Sequence, residues 1–352
     1  MKRLAVLLAV LAVLAPAAAL GDACSPLNCA PSQFDVAGTT LLGYRSTALG
    51  AVHVVDLRSG AARFTVPGGF VGGHQLVHAG AGRTLSWYDL RTGRKTATIK
   101  LPWPVRFAGV SQNGSRAVGF RTLRGAQTVV IATRAGWQRQ VPIPNGSWDL
   151  DALSGSYLFL IKYLQAGGYE VVLVDLSNDS YPTRVIKDPR ETAVIWGSPF
   201  ARLASPDGRY LFTLYVASNG AAMVHELDVV RATARCIDLP GSGNASYALS
   251  WSMALSPNGQ TLWAANPGYG KVVAIDVARH EARLDFALQL PNWELGSGTR
   301  AAVSPEGGQL ALTDGESVAL VDLSDHRLVR RTRSAGAHAI GYAPDGKLRT
   351  LA

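Results

Sequence analysis

The chain has 352 residues, 47% of them hydrophobic and 17% charged, with 37 glycines, 18 prolines and a formal net charge of +9. That composition excludes a disordered chain and leaves ample material for a core. No window carries a sustained helical period or a heptad, so helical bundles and coiled coils are excluded as well.

Taken from the start, Lys2 and Arg3 precede an apolar run from Leu4 to Leu14, and Pro16 and several small residues follow. This order predicts a secretory signal peptide over residues 1–21, cleaved after Gly21 or as late as Ala23. An uncleaved anchor is the rival reading, but the run is short of the roughly 20 apolar residues that a spanning helix needs. No later segment is expected to span a membrane, so the protein is expected to be secreted or held outside the cytoplasm, as a monomer. Residues 22–33 form a short leader to the main domain, 34–352. Within it Cys24 and Cys29 bracket CSPLNC, and an oxidising compartment makes a short-loop disulfide between them the expected state. Cys236 is left over and is expected to be a half-buried small side chain on a strand. Without Lys2 and Arg3 the chain holds 32 basic and 25 acidic residues. They read as scattered, with Arg327, Arg330, Arg331 and Arg333 on strand edges, so a solvated basic surface is expected and nucleic-acid binding is not.

The domain is repetitive. Leu255–Leu288 reads as a Ser-Pro-Asn-Gly turn followed by three short strands, with a fourth strand, Ser250–Leu255, ahead of the turn. The turn recurs at Ser111–Gly114, Ser205–Gly208, Ser256–Gly259, Ser304–Gly307 and Ala343–Gly346, with degenerate forms at Ala79–Gly82 and Leu153–Gly155. A second signal, apolar-Asp-apolar at a strand end, recurs at Asp56, Asp89, Asp175, Asp228, Asp276 and Asp322, with Thr133 in its place in the third copy. The steps between these anchors are 33, 44, 42, 53, 48 and 46 residues, the length of one four-stranded propeller blade each. Seven anchors predict an all-β, seven-bladed β-propeller of four-stranded antiparallel blades. The anchor Asp is expected to cap the following turn rather than to react. After the seventh anchor, AHAIGYAPDGKLRTLA supplies two more strands. They are expected to pair with the N-terminal blade and so latch the ring by its two termini, with a partial eighth blade as the alternative.

With its SPDG turns and apolar-Asp-x-x-x-G strand ends, the chain resembles the bacterial secreted propellers of the WD-repeat-like and YVTN type over Phe34 to Ala352. The resemblance implies blades around a central channel, used as a binding or scaffolding surface. Some similar propellers are lactonases or lyases, and others are quinone-dependent dehydrogenases. The stretch WYDLRTGRKTATI comes nearest to the repeat of that last group, without the Trp that follows there.

In such a ring the segments entering the innermost strands gather at the channel mouth. Aligned on the turn glycine, His74 and His338 fall at one level, Asp149 and Arg202 share another on neighbouring blades, and His78 and Asp151 share a third. An Asp149–Arg202 ion pair lining the channel is expected. Two histidines alone do not make a metal site, so neither a metal nor another cofactor is expected. Trp103, Trp148, Trp196, Trp251 and Trp293 lie beside these segments in five successive blades. Either they pack between blades or they form an aromatic rim. The binding residues expected at the mouth are thus His74, Trp148, Asp149, Asp151, Arg202, Trp251, Trp293 and His338. The function expected is a non-catalytic scaffold for a protein, peptide or glycan. A lactonase-like hydrolase or lyase at the channel mouth is the alternative.

Overall fold

The computed structural model describes residues 32–45, 50–80, 83–166, 168–191, 194–295 and 299–351. The expected signal peptide and the Cys24–Cys29 pair fall outside the described residues. Within them the chain folds into seven four-stranded antiparallel sheets, each with its strands in chain order, and one two-stranded sheet. The seven sheets are the blades of a β-propeller, numbered here in chain order. Their innermost strands are Gln33–Asp35, Phe70–Gly72, Arg106–Val110, Trp148–Ser154, Ser198–Ala204, Ser252–Leu255 and Arg300–Val303. The third strand of blade 6, Lys271–Asp276, is buried on both faces, whereas its outer strand, Glu281–Ala287, is exposed at five of its seven residues.

A blade that is apolar on both faces cannot stand alone, and the core shows why. It is a circle of clusters, each shared by two neighbours. Phe212, Val224 and Ile237 of blade 5 pack on Trp251, Leu262 and Ile275 of blade 6. Blade 6 in turn packs Ala265 and Val272 on Leu310 and Val321 of blade 7.

Local chemistry fixes each blade's turns. At Ser256–Gly259 the Ser256 hydroxyl donates to Asn258 Oδ1 at 2.7 Å and accepts the Thr261 N–H at 2.9 Å, while Asn258 Oδ1 accepts the Gln260 N–H at 3.0 Å. Gly259 takes φ 69°, a conformation that costs little without a Cβ. Ser205 with Asp207 and Ser111 with Asn113 repeat the network. The anchor carboxylates cap the next turn, as at Asp276, whose Oδ1 accepts the N–H groups of Ala278 and Arg279. Thr133 does the same with its hydroxyl for Ala135.

Chain direction gives the ring two faces. The Ser-Pro-Asp-Gly and anchor-Asp turns lie on one, the turn face. The segments between blades lie on the other, the mouth face.

Blade 2 departs from the expected alignment. Its innermost strand is Phe70–Gly72 and its second is Gln75–Ala79, so the inner turn is Gly72–Gln75 and not Ala79–Gly82. The shortest repeat has replaced the four-residue motif with a Gly-Gly turn wedged against blade 3. A Cβ on Gly72 would sit 2.3 Å from the Ser111 carbonyl oxygen and 2.6 Å from the Gly114 nitrogen.

The ring closes with the two ends, but not by the backbone pairing expected. The C-terminal strands Ala339–Tyr342 and Leu348–Leu351 pair with each other as a separate sheet between blades 7 and 1. One side shares a cluster with Leu42, Val55 and Leu57 of blade 1, the other with Ala311 and Val318 of blade 7. Gln33 spans the seam: its Nε2 donates to the Ala301 carbonyl at 3.0 Å and its Oε1 accepts the Ile340 N–H at 3.0 Å. Arg349 donates to the carbonyls of Leu57 and Arg58. Gln33→Ala leaves two backbone groups unpaired and is expected to cost about 1–3 kcal/mol. Calorimetric unfolding checks this, and an unchanged midpoint contradicts it.

Candidate functional site

The mouth face is lopsided. The segments leading into blades 2, 3 and 4 are residues 67–69, 101–105 and 144–147, whereas those leading into blades 5, 6 and 7 are 187–197, 240–251 and 288–299. The middle long segment carries a single helical turn, Ala245–Ala248, capped by Asn244, whose Oδ1 accepts the N–H groups of Ser246 and Tyr247. Tyr269 ties the region together, donating its hydroxyl to the carbonyls of Gly220 at 2.9 Å and Asn244 at 2.7 Å.

Asp149, Asp151 and Arg202 do come together near the inner strands, in different pairs from those expected. Arg202 donates to the Asp151 carbonyl at 2.7 Å and to Asp151 Oδ1 at 3.2 Å, and both side chains are buried. Asp149 instead meets Arg106 of blade 3 at 3.5 Å and accepts its neighbour's N–H, from Leu150, at 2.9 Å. The Arg106 guanidinium also donates to the Trp148 carbonyl at 2.7 Å. The Asp149–Arg202 pairing fails because blade 4 turns through a two-residue hairpin, with Ser154 paired to Tyr157, where blade 5 uses the longer Ser205–Gly208 turn. Counting back from the glycine therefore misplaces the blade 4 strand by two residues. The innermost strand of blade 4 is thus gripped by an arginine from each side. Asp149, Asp151 and Arg202 are buried and Arg106 is half exposed, and the charges are matched to each other and to backbone carbonyls, the arrangement that offsets desolvation.

The other expected residues separate. His74 lies in the Gly72–Gln75 turn, on the face opposite His338, so the two histidines do not share a level. His338 is exposed at the mouth, just ahead of Ala339–Tyr342. Trp148, Trp251 and Trp293 are buried in the clusters between blades and form no rim. Trp196 is the tryptophan of the five that stands out, 57% exposed. Distance from the strand does not set this, since Trp196 stands two residues and Trp251 one residue ahead of the next strand; Trp251 packs into the cluster between blades 5 and 6, and Trp196 joins no such cluster. Trp251→Ala is expected to cost about 3–5 kcal/mol by leaving a cavity, which denaturant unfolding measures; a variant as stable as the parent contradicts the packing role.

Sequence reading missed a polar row across blade 5. Arg202, Thr213, His225 and Cys236 are successive cross-strand partners, all buried. The row ends at Asp188, which accepts hydrogen bonds from the Arg190 guanidinium and the Cys236 N–H. Burial alone would raise the Asp188 carboxyl, but these donors outweigh it and hold it well below the ordinary range. A cavity of about 180 Å³ lies here, lined by Asp188, Glu191, Trp196, Met223, His225 and Cys236. Burial, then the neighbouring Glu191, pushes the Cys236 thiol up to about 12, and burial lowers the His225 imidazole. The thiol is therefore protonated and a poor nucleophile. Among the described residues no three His, Cys, Asp or Glu side chains are disposed to hold a metal. Only the cross-strand register of blade 5 signals this row, and register is set by pairing.

A second pair, buried Glu226 and half-buried His280, joins blades 5 and 6 at the turn face. Burial, then the charge of Asp228, pushes Glu226 up to about 8, and burial lowers His280. Glu226 Oε1 and His280 Nδ1 are hydrogen bonded at 2.6 Å. Above the ordinary His value near 6.5, neither the folded nor the unfolded His is charged, so Glu226 acts alone up to about 8. There the folded state keeps a proton that the unfolded chain has lost, so stability falls as pH rises through that window. Glu226→Gln is expected to remove this fall, read as thermal midpoints across the window; an equal slope in the variant contradicts it.

No protein-family model matches the chain, and no curated protein matches it in sequence. Solved structures match in fold. Dihydro-heme d1 dehydrogenase NirN, in complex with DHE, is similar at 14% identity and TM-score 0.53, over 91% of this chain and 70% of that one. Hydrazine synthase from Kuenenia stuttgartiensis is similar at 15% identity and TM-score 0.48, over 87% of this chain and 97% of that one. Apo AztD from Citrobacter koseri is similar at 12% identity and TM-score 0.42, over 81% and 92%. At such identities what is shared is the fold, which carries unrelated functions and by itself assigns no activity. The chain is a seven-bladed β-propeller.

Proposed function

We infer that this propeller is an exported binding module that engages a protein, peptide or glycan with the mouth face of blades 5 to 7. One observation carries the reading: the three long segments there each present a large apolar side chain to solvent. Trp196 is 57% exposed, Tyr247 37%, Leu249 37% and Leu295 41%. Tyr247 and Leu295 converge over Gly268, whose added Cβ would lie 3.1 Å from Tyr247 Cα and 3.0 Å from the Leu295 side chain. Exposed apolar groups gathered on one face mark interaction sites. The channel cluster supports binding over lactonase-like hydrolysis or lyase chemistry, since Arg106 with Asp149 and Arg202 with Asp151 are engaged with each other. The basic start and apolar run of residues 1–14 and the closely spaced Cys24 and Cys29 support export.

The test is a triple variant, Trp196→Ser, Tyr247→Ser and Leu295→Ser, screened beside the parent on immobilised peptide and glycan arrays. Ligands bound by the parent and lost by the variant, at an unchanged thermal midpoint, are the expected result. Equal binding by both proteins, or turnover of a lactone panel by the parent, overturns the reading. The mass of the mature protein checks export: a start at Asp22 or Cys24 with the deficit of one disulfide is expected.

A further inference from the structure

The excess positive charge of the protein belongs to one sector rather than being scattered over its surface. Residues 90–148 contain ten Arg and Lys and no Asp or Glu. The rest of the chain holds 24 basic and 25 acidic residues, so this sector accounts for the whole net charge of +9. It comprises the outer strand of blade 2, Arg94–Lys100, and all of blade 3, Arg106 to Ile143. Among the described residues, only Arg91 and Arg106 of the ten meet a carboxylate, those of Asp89 and Asp149. Like charges gathered without counter-charges destabilise a fold unless a partner supplies them.

The mouth end of this sector holds a cavity of about 470 Å³ between blades 3 and 4, lined among others by Arg106, Phe120, Arg121, Gln127 and Trp148. Lys100, Arg106, Arg121 and Arg124 all lie at the mouth ends of their strands or in the adjoining turn. The guanidiniums are braced by aromatic faces: Arg106 stands 4.8 Å over Phe120 and Arg121 4.4 Å over Trp103. Such stacking fixes the fork of donors without using its N–H groups. Trp103 continues to Trp137 at 5.7 Å. Leu123, next to Arg124, is 53% exposed, and Trp137, near the start of the outer strand of blade 3, is 48% exposed.

We propose that the blade 3 cavity and the basic sector around it bind an acidic polypeptide segment, with Asp or Glu carboxylates on Arg121 and Arg124 and bulky apolar side chains against Leu123 and Trp137. Braced guanidiniums match carboxylates two donors at a time. The exposed Leu and Trp favour a polypeptide over a sugar chain or a phosphate backbone, neither of which brings aliphatic side chains to cover them. The surface is separate from the long-loop side of the mouth, so each can fail without the other.

The experiment measures fluorescence anisotropy of a short labelled peptide of repeating Glu-Glu-Leu titrated with the full chain, beside a Gln-Gln-Leu control. Binding of the acidic peptide alone is expected, weakening as salt rises. Arg121→Gln with Arg124→Gln is expected to weaken it about tenfold or more. Arg327→Gln with Arg330→Gln removes equal charge from the outer strand of blade 7 and is expected to leave binding nearly unchanged, as is Trp196→Ser. Arg124→Glu, at an exposed turn, repeats the test with little demand on folding. Equal weakening by both arginine pairs, no binding of the acidic peptide, or displacement of it by heparin or anionic vesicles at lower concentration would each overturn the proposal.

Discussion

Everything in this molecule depends on a sheet that is apolar on both faces. Such a blade has no solvent side, so it is stable only between two others, and a row of them is stable only when it closes. The clusters between blades are therefore the core itself, divided into sectors. The consequence is that the seam bears a special burden. The two-stranded C-terminal sheet fills it with small and aliphatic side chains on both flanks, and Gln33 and Arg349 stitch it with hydrogen bonds to backbone carbonyls.

That rigid frame frees the mouth face to vary. Segments between blades carry little of the sheet hydrogen bonding, the bridge of Ile195 to Tyr169 aside, so they lengthen or shorten at little cost. Blades 5 to 7 use this freedom for long segments that carry exposed apolar side chains, while blades 2 to 4 keep short ones and leave a charged cavity open. The two halves of the mouth thus differ in chemistry, one apolar and one cationic. Between them, Arg106 and Arg202 clamp the innermost strand of blade 4. Rigidity there holds the two surfaces at fixed separation.

Burial decides which ionisable groups remain reactive. Cys236 and His225 are partners across a strand pair, but each is held in its neutral form by the blades around it. The Glu226–His280 pair shares a single proton for the same reason. Groups that look like a nucleophile and a base in a residue list become structural polar contacts once desolvation is counted.

What the sequence determined by itself was the repeating unit. The Ser256 and Asn258 network, the glycine at positive φ and the Asp276 cap are each closed within a few residues, so local order reveals them. The concentration of charge in residues 90–148 is equally plain in the chain once charge is counted along it. Tertiary structure decided the rest, because it depends on lengths and packing that composition does not encode. A hairpin two residues shorter than its neighbour moved Asp151, not Asp149, opposite Arg202. A Gly-Gly turn carried His74 to the far face. Of five similarly placed tryptophans, Trp148, Trp251 and Trp293 became wedges between blades, Trp103 stayed half-buried and Trp196 exposed, according to whether each side chain met a neighbouring blade's cluster.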